Sequence, residues 1–230
     1  MKKGIDLSEW QTQVDYTKLK KRGIEFAIIR CGYGRDKSQK DKMFEKHYEG
    51  LKKAGIKIGC YIYSYANKVS DGKLEAQNCL NFIKGKTFEL PVFYDLEDKV
   101  TSSLGKTNIT MLANAFLTEI KKAGYNTGIY ANLNWFNNYI NLRELKNRNP
   151  NMYVWLAQWE VSKPTASFNY DFWQYTSNGK LDGISGRVDM NYQITKTVDN
   201  SVGNVENRKS NEEIAKQVWQ GLWGKRSRKS

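Results

Sequence analysis

Histidine is almost missing from this sequence, and its scarcity excludes most hydrolase chemistry that depends on an imidazole. The single histidine, His47, stands among apolar side chains at positions 44, 48 and 51, which recur at helical spacing. We therefore expect His47 to occupy a solvated position on a helix. A Ser-His-Asp site could be built only on this residue, and no nucleophile-elbow motif accompanies it. Acid–base catalysis would then fall to Asp and Glu.

Cysteine is also scarce, and its arrangement predicts neither a disulfide scaffold nor a zinc motif. Cys31, Cys60 and Cys79 have no metal-like spacing, and their odd number argues for reduced thiols. The sequence also lacks a Gly-rich phosphate loop and a recognition-helix signature. A nucleic-acid-binding protein is thus supported only by the formal net charge of +13. We do not expect nucleic acid as a partner.

Long apolar runs are absent as well. No stretch approaches the roughly 18 apolar residues that a membrane-spanning helix needs, and no apolar signal-peptide core follows Met1. These absences predict that the chain does not insert into a membrane. They also predict synthesis in a bacterial cytoplasm without a signal peptide.

Positive charge and aromatic side chains are abundant. The 230 residues hold 37 Lys and Arg against 24 Asp and Glu, and a basic surface attracts polyanions such as anionic cell-wall polymers. Hydrophobic residues make up 40% of the chain and aromatic residues 13%, which is enough to bury a sizeable core. We expect one domain of about 200 residues with a small appendage, and the oligomeric state stays open.

Short β-rich runs alternate with amphipathic helical stretches along the first two thirds of the chain. The predicted strands cover residues 3–7, 25–31, 57–65, 90–96, 127–131, 152–158, 172–175 and 188–192. The predicted helices cover residues 16–22, 41–54, 71–83 and 108–123, with a glycine shortly after each. This alternation predicts βαβ units and a parallel sheet. The fold class is therefore α/β, an incomplete TIM-like (β/α) barrel of eight strands with helices mainly around the first five.

Acidic residues fall at the ends of the predicted strands, where the active sites of such barrels lie. Asp6 is on the first strand, Asp95 and Glu97 are on the fourth, and Asp189 is on the last. Residues i and i+2 of a strand face the same side, so Asp95 and Glu97 are expected to repel and to hold one proton between them. Glycoside cleavage needs such a pair, an acid beside an anion. A divalent cation site is the alternative use of four acids.

Aromatic and amide side chains fall at the same strand ends, as in a groove that binds sugars. We expect these residues to contact substrate: Tyr61, Tyr63, Tyr130, Gln158, Trp159, Trp173, Gln174 and Tyr175.

Taken in order, these motifs resemble the Chalaropsis-type lysozymes of glycoside hydrolase family 25 over residues 3–195. The matching segments are 4–8 (GIDLS), 32–34 (GYG), 59–61 (GCY), 94–97 (YDLE), 129–130 (IY), 155–157 (WLA), 173–175 (WQY) and 183–191 (GISGRVDMN). No single segment is specific, whereas the ordered combination is.

The resemblance implies a muramidase that needs no metal or other cofactor. Its substrate would be the β-1,4 bond between N-acetylmuramic acid and N-acetylglucosamine in bacterial peptidoglycan. Glu97 would protonate the leaving oxygen, and Asp95 would orient the substrate's 2-acetamido group as it attacks. Asp6 and Asp189 would line and tune the site. An oxazoline and a glycosyl-enzyme intermediate both remain open, and the other possibility is a peptidoglycan-binding barrel without activity.

The C-terminal stretch differs in character from the rest. We expect residues 1–200 to form the catalytic barrel and residues 201–230 to form a linker, a short helix and a basic tail. Residues 211–224 (NEEIAKQVWQGLWG) resemble the first half of a wall-binding repeat found in phage lysins. With the missing signal peptide, this suggests a phage or prophage endolysin that a holin releases to the cell wall. An exported bacterial autolysin is the weaker alternative.

Overall fold

The computed structural model describes residues 1–194. The expected C-terminal helix and basic tail lie outside the described residues. Eight strands form the structure's sheet: β1 (Lys2–Leu7), β2 (Phe26–Tyr33), β3 (Lys57–Tyr63), β4 (Val92–Asp95), β5 (Thr127–Asn132), β6 (Tyr153–Ala157), β7 (Phe172–Gly179) and β8 (Val188–Gln193). The α-helices are α1 (Tyr16–Lys21), α2 (Phe44–Ala54), α3 (Asp71–Phe82), α4 (Lys99–Ser102), α5 (Gly105–Lys122), α6 (Leu133–Asn138) and α7 (Leu142–Arg148).

The eight strands close into a barrel in sequence order. Strands β1 to β7 pair in parallel, whereas β8 runs antiparallel to both of its neighbours, β7 and β1. The predicted α/β barrel is confirmed, with helices concentrated before β6 and none after it within residues 1–194. The antiparallel closure was not predicted. Only residues 180–187 connect β7 to β8, which is too short for the crossover that a parallel neighbour needs.

Two layers of apolar side chains stabilise the barrel. Phe26 and Ile28 of β2 point into the barrel interior, where they meet Phe93, Trp155 and Phe172. The alternate residues of the same strand face outward and pack under the surrounding helices. Because β2 is buried on both sides, its sequence is apolar almost throughout.

Glycine ends α2 as the sequence predicts: Gly55 adopts a left-handed conformation with φ of 64°, and its N–H bonds the last carbonyls of the helix. The short helices α6 and α7 were not predicted. Each begins at an asparagine, Asn132 or Asn141, whose side-chain oxygen accepts a backbone N–H from the first turn.

The expectation for His47 is wrong. The residue lies on α2 as predicted, but its side chain is fully buried instead of solvated. One ring nitrogen lies 3.0 Å from the Tyr16 hydroxyl and the other 3.0 Å from the backbone oxygen of Ser8. Burial lowers the pKa of His47, so the ring acts as a neutral bridge from α2 to the loop after β1.

Within residues 1–194, no helix is both long and apolar enough to cross a membrane. The three cysteines are free thiols, as expected, and all three are buried.

Candidate active site

A cavity of about 220 Å³ opens at the C-terminal ends of the parallel strands. All four predicted acids line it. Within residues 1–194, the cavity is lined by Asp6, Ser8, Trp10, Gln11, Arg30, Tyr61, Tyr63, Asp95, Glu97, Tyr130, Trp155, Gln174 and Asp189. The cavity is therefore a cleft whose floor is acidic and whose walls are largely aromatic.

Asp6 and Asp189 are brought together by the antiparallel pairing of β1 and β8, in which the two residues are direct partners. The side chain of Asp189 donates a hydrogen bond to Asp6. Burial and the neighbouring charge of Asp6 raise the pKa of Asp189 to about 9. Near neutral pH, Asp189 is consequently the protonated member of the pair.

Amide side chains orient Asp6 from two further directions. Gln174 and Asn191 donate N–H groups to the same carboxylate oxygen, at 2.9 and 2.8 Å. Each amide is fixed in turn, since Gln174 accepts from the Tyr130 hydroxyl at 2.9 Å and Asn191 accepts from the Trp155 indole at 2.8 Å. Burial raises the pKa of Asp6, while these donors act in the opposite direction. These donors favour the ionised form of Asp6 against the effect of burial, and they fix the orientation of its carboxylate.

Asp95 and Glu97 form the second acidic pair. Asp95 ends β4 and is only 4% exposed, and Glu97 follows two residues later. Burial and the charge of Glu97 raise the pKa of Asp95. Burial and the charge of Asp6 raise the pKa of Glu97 to about 7. One buried oxygen of Asp95 has no hydrogen-bond partner within residues 1–194, which leaves it able to accept one from a substrate.

Among residues 1–194, Arg30 is the one cation that lines the cleft. Its guanidinium donates to Asp41 at 2.7 Å and to Glu9 at 2.6 Å. Asp41 also accepts the backbone N–H of Glu9 at 3.0 Å, so the group ties β2 to the loop after β1. The charge of Arg30 opposes the rise in the pKa of Asp95.

Comparison with known proteins gives the family of the chain. The sequence model of the glycosyl hydrolases family 25 matches residues 5–184. This chain belongs to glycosyl hydrolase family 25.

A family 25 relative is the autolytic lysozyme of Clostridium acetobutylicum, which is 30% identical over 190 residues. The match covers 82% of this chain but only 54% of that relative, so the chain spans about half of the relative's length. Among solved structures, the CTP1L endolysin has a TM-score of 0.74 and 28% identity, covering 84% of this chain and 67% of that one. A lysozyme from Streptomyces coelicolor has a TM-score of 0.71 and 26% identity, covering 85% and 93%.

The family 25 barrel brings four of the eight predicted substrate contacts to the cleft, namely Tyr61, Tyr63, Tyr130 and Gln174. Others lie outside it. Gln158 turns away and bonds Thr165. Trp173 is 7% exposed, donates its indole N–H to the backbone of Gln158, and packs with Tyr175 and Tyr192.

Trp159 reaches the cleft indirectly. Its indole donates to Gln174 at 2.9 Å while 46% of the residue stays exposed. Tyr175 stacks against Tyr192 on the outer side.

The family 25 cleft also contains residues that the sequence analysis did not predict: Ser8, Trp10, Gln11, Arg30 and Trp155. Arg30 could have been predicted as a site residue, because it is a charged residue within the otherwise apolar sequence of β2.

The cleft carboxylates do not form a compact cation site in this family 25 chain. Within the described part of the chain, one group of three or more metal-ligating side chains has converging ligand atoms, and it consists of cysteines outside the cleft. The four acids instead pair as Asp6 with Asp189 and Asp95 with Glu97.

Proposed function

We propose that this chain is an N-acetylmuramidase that hydrolyses the β-1,4 bond between N-acetylmuramic acid and N-acetylglucosamine in bacterial peptidoglycan. The observation that carries the proposal is the pair at the end of β4. Glu97 has a pKa of about 7, and the adjacent Asp95 has a buried oxygen without a partner among residues 1–194. A general acid works best when its pKa lies near the working pH.

Substrate binding would divide the roles of the two acids. Before substrate binds, the pair would hold a proton because both pKa values are raised. An acetamido N–H that donates to Asp95 favours the ionised form of that carboxylate and lowers its pKa. The proton then remains on Glu97, which can give it to the leaving oxygen, while the Asp95 anion orients the acetamido group.

Asp6 and Asp189 would set the charge of the site. An ionised Asp6 keeps Glu97 protonated by repulsion, and the hydrogen bond from Asp189 avoids a second anion beside it. Aromatic rings of Tyr61 and Tyr63 line the same cleft and present faces on which sugar rings can stack.

The proposed partners are peptidoglycan and, through the net charge of +13, anionic wall polymers. The likeness to an endolysin structure supports a phage or prophage lysin that reaches the wall after holin-type release from the host cytoplasm. To test this route, the chain is expressed in bacteria with and without a holin and lysis is followed. Lysis without the holin would contradict the route.

The decisive experiment digests purified peptidoglycan and identifies the new reducing ends by mass spectrometry. N-acetylmuramic acid at the new end supports the proposal, whereas N-acetylglucosamine would identify a glucosaminidase. Wall binding without any new sugar end would instead support a non-catalytic peptidoglycan-binding barrel. Glu97→Gln serves as the matched control, because it retains the shape of the side chain but cannot protonate the leaving oxygen.

A further inference from the structure

Three buried thiols meet on the outer side of the barrel wall, away from the cleft. Cys31 comes from β2, Cys60 from β3 and Cys79 from α3, and all three are fully buried. Their sulfur atoms lie within 4.8 Å of one another, and those of Cys31 and Cys79 are 3.7 Å apart. The positions are far apart in the sequence, so no motif signals the cluster.

The cluster belongs to the layer between strands and helices. Cys31 directly follows Arg30, and Cys60 directly precedes Tyr61, which both line the cleft. Adjacent strand residues point to opposite faces. The thiols accordingly pack with the apolar residues of the outer layer, and a group bound there would not touch substrate.

We propose that Cys31, Cys60 and Cys79 form a three-coordinate site for a soft monovalent cation such as Cu(I). A planar three-sulfur site with metal–sulfur bonds of about 2.3 Å needs sulfurs about 4.0 Å apart. The Cys31–Cys79 separation of 3.7 Å and the upper limit of 4.8 Å on the other two are compatible with that value. A disulfide would account for only two of the three sulfurs, and it would hold them at about 2.05 Å.

The donor set selects the ion. All three ligands are sulfur, which suits Cu(I) and excludes hard cations such as Ca²⁺ and Mg²⁺. Structural zinc requires four ligands, and the group within residues 1–194 offers three. Cu(I) accepts three.

Metal binding also fixes the proton balance of the site. Thiolates rather than thiols ligate metals. Three Cu–S bonds therefore form as the three thiols lose their protons to solvent, so the affinity for Cu(I) should rise with pH.

The test titrates the reduced full chain with Cu(I) under anaerobic conditions, in competition with a chromophoric Cu(I) chelator. We expect one equivalent to bind and to produce thiolate-to-copper charge-transfer absorption in the near ultraviolet. Because the site is buried, the titration is run on native chain and on chain refolded with Cu(I). Loading by either route supports the site, and loading by neither overturns it.

Variants assign the binding to the cluster. Cys79→Ala should weaken Cu(I) binding by about 100-fold or more, since even outer partners of a metal site contribute about 10–100-fold. Ile83→Val, a core truncation at the end of the same helix, should bind as the parent does. Equal binding by Cys79→Ala and the parent would overturn the proposal, as would a Cys31–Cys79 disulfide forming in a chain that binds no Cu(I). Neither result bears on the muramidase proposal, which the peptidoglycan digest tests separately.

Discussion

The raised pKa of Glu97 makes the pH dependence of cleavage a direct test of its role. A carboxyl group with a pKa of about 7 is half protonated at pH 7. The same group at its usual value of 4.5 would be protonated in about 0.3% of molecules. Burial in the cleft therefore increases the available acid on the order of 10²-fold at pH 7.

We expect the kcat/KM of muropeptide hydrolysis to fall as the pH rises through about 7, because the acid form of Glu97 is lost. Glu97→Gln should lower turnover by about 10² or more at all pH values and should leave wall binding intact. Asp6→Asn should move the alkaline limb to lower pH, since the charge of Asp6 contributes to the raised pKa of Glu97.

The assay follows initial rates of soluble muropeptide hydrolysis across pH for the parent, the two variants and Asp182→Asn. Asp182 is a surface acid paired with Arg22 outside the cleft, so its variant changes the net charge as Asp6→Asn does without touching the site. A near-native Glu97→Gln, or an alkaline limb that Asp6→Asn leaves in place, would refute the assignment. If Asp182→Asn moves the alkaline limb as far as Asp6→Asn does, the shift is explained by the change in net charge alone.

Four further outcomes are expected. The folded-state pKa of Asp189, about 9, is above its usual 3.8, so its stabilising effect is present in acid and is lost as the pH rises through that window. The melting temperature of Asp189→Asn relative to that of the parent should therefore rise from pH 4 to pH 8. A difference that stays constant over this range would contradict the raised pKa. Gln174→Ala should lower kcat/KM by about 10–100-fold, whereas Gln158→Ala should leave it unchanged. Equal losses in the two variants would argue that the hydrogen bond from Gln174 to Asp6 does not position that carboxylate. Activity should persist in excess EDTA, and a loss restored by Ca²⁺ or Mg²⁺ would revive the cation site. Truncation after Gly203 removes seven basic and three acidic residues, a net +4 of +13, so wall pull-down should weaken modestly and less at high salt; a large, salt-independent loss would indicate sugar recognition instead.

The sequence predicts the barrel and its acids because both depend on local patterns. Each parallel strand is a short apolar run, and an acid such as Asp95 stands out at its end. Tyr130 and Gln174 follow from the same rule, since they occupy strand positions that face the cleft.

Neighbouring positions show where the pattern fails. Trp173 and Gln174 are adjacent on β7, and only Gln174 faces the cleft, because a shift of one residue reverses the face. Gln158 lies just beyond β6, where alternation no longer fixes direction. His47 looked solvated because its partners, Tyr16 and the Ser8 carbonyl, are distant in sequence. Tertiary contacts of this kind have no local signature.

The pairing of β1 with β8 has a consequence for the order in which activity can arise during synthesis. Asp6 is synthesised before Asp189 and Asn191, which are added about 185 residues later. A nascent chain that has reached β7 holds Asp6, Asp95 and Glu97 but lacks the strand that closes the sheet. Closing the longest loop in the fold is also the slowest kind of contact to form. The acidic cleft therefore cannot be complete until β8 has been synthesised and has paired with β1.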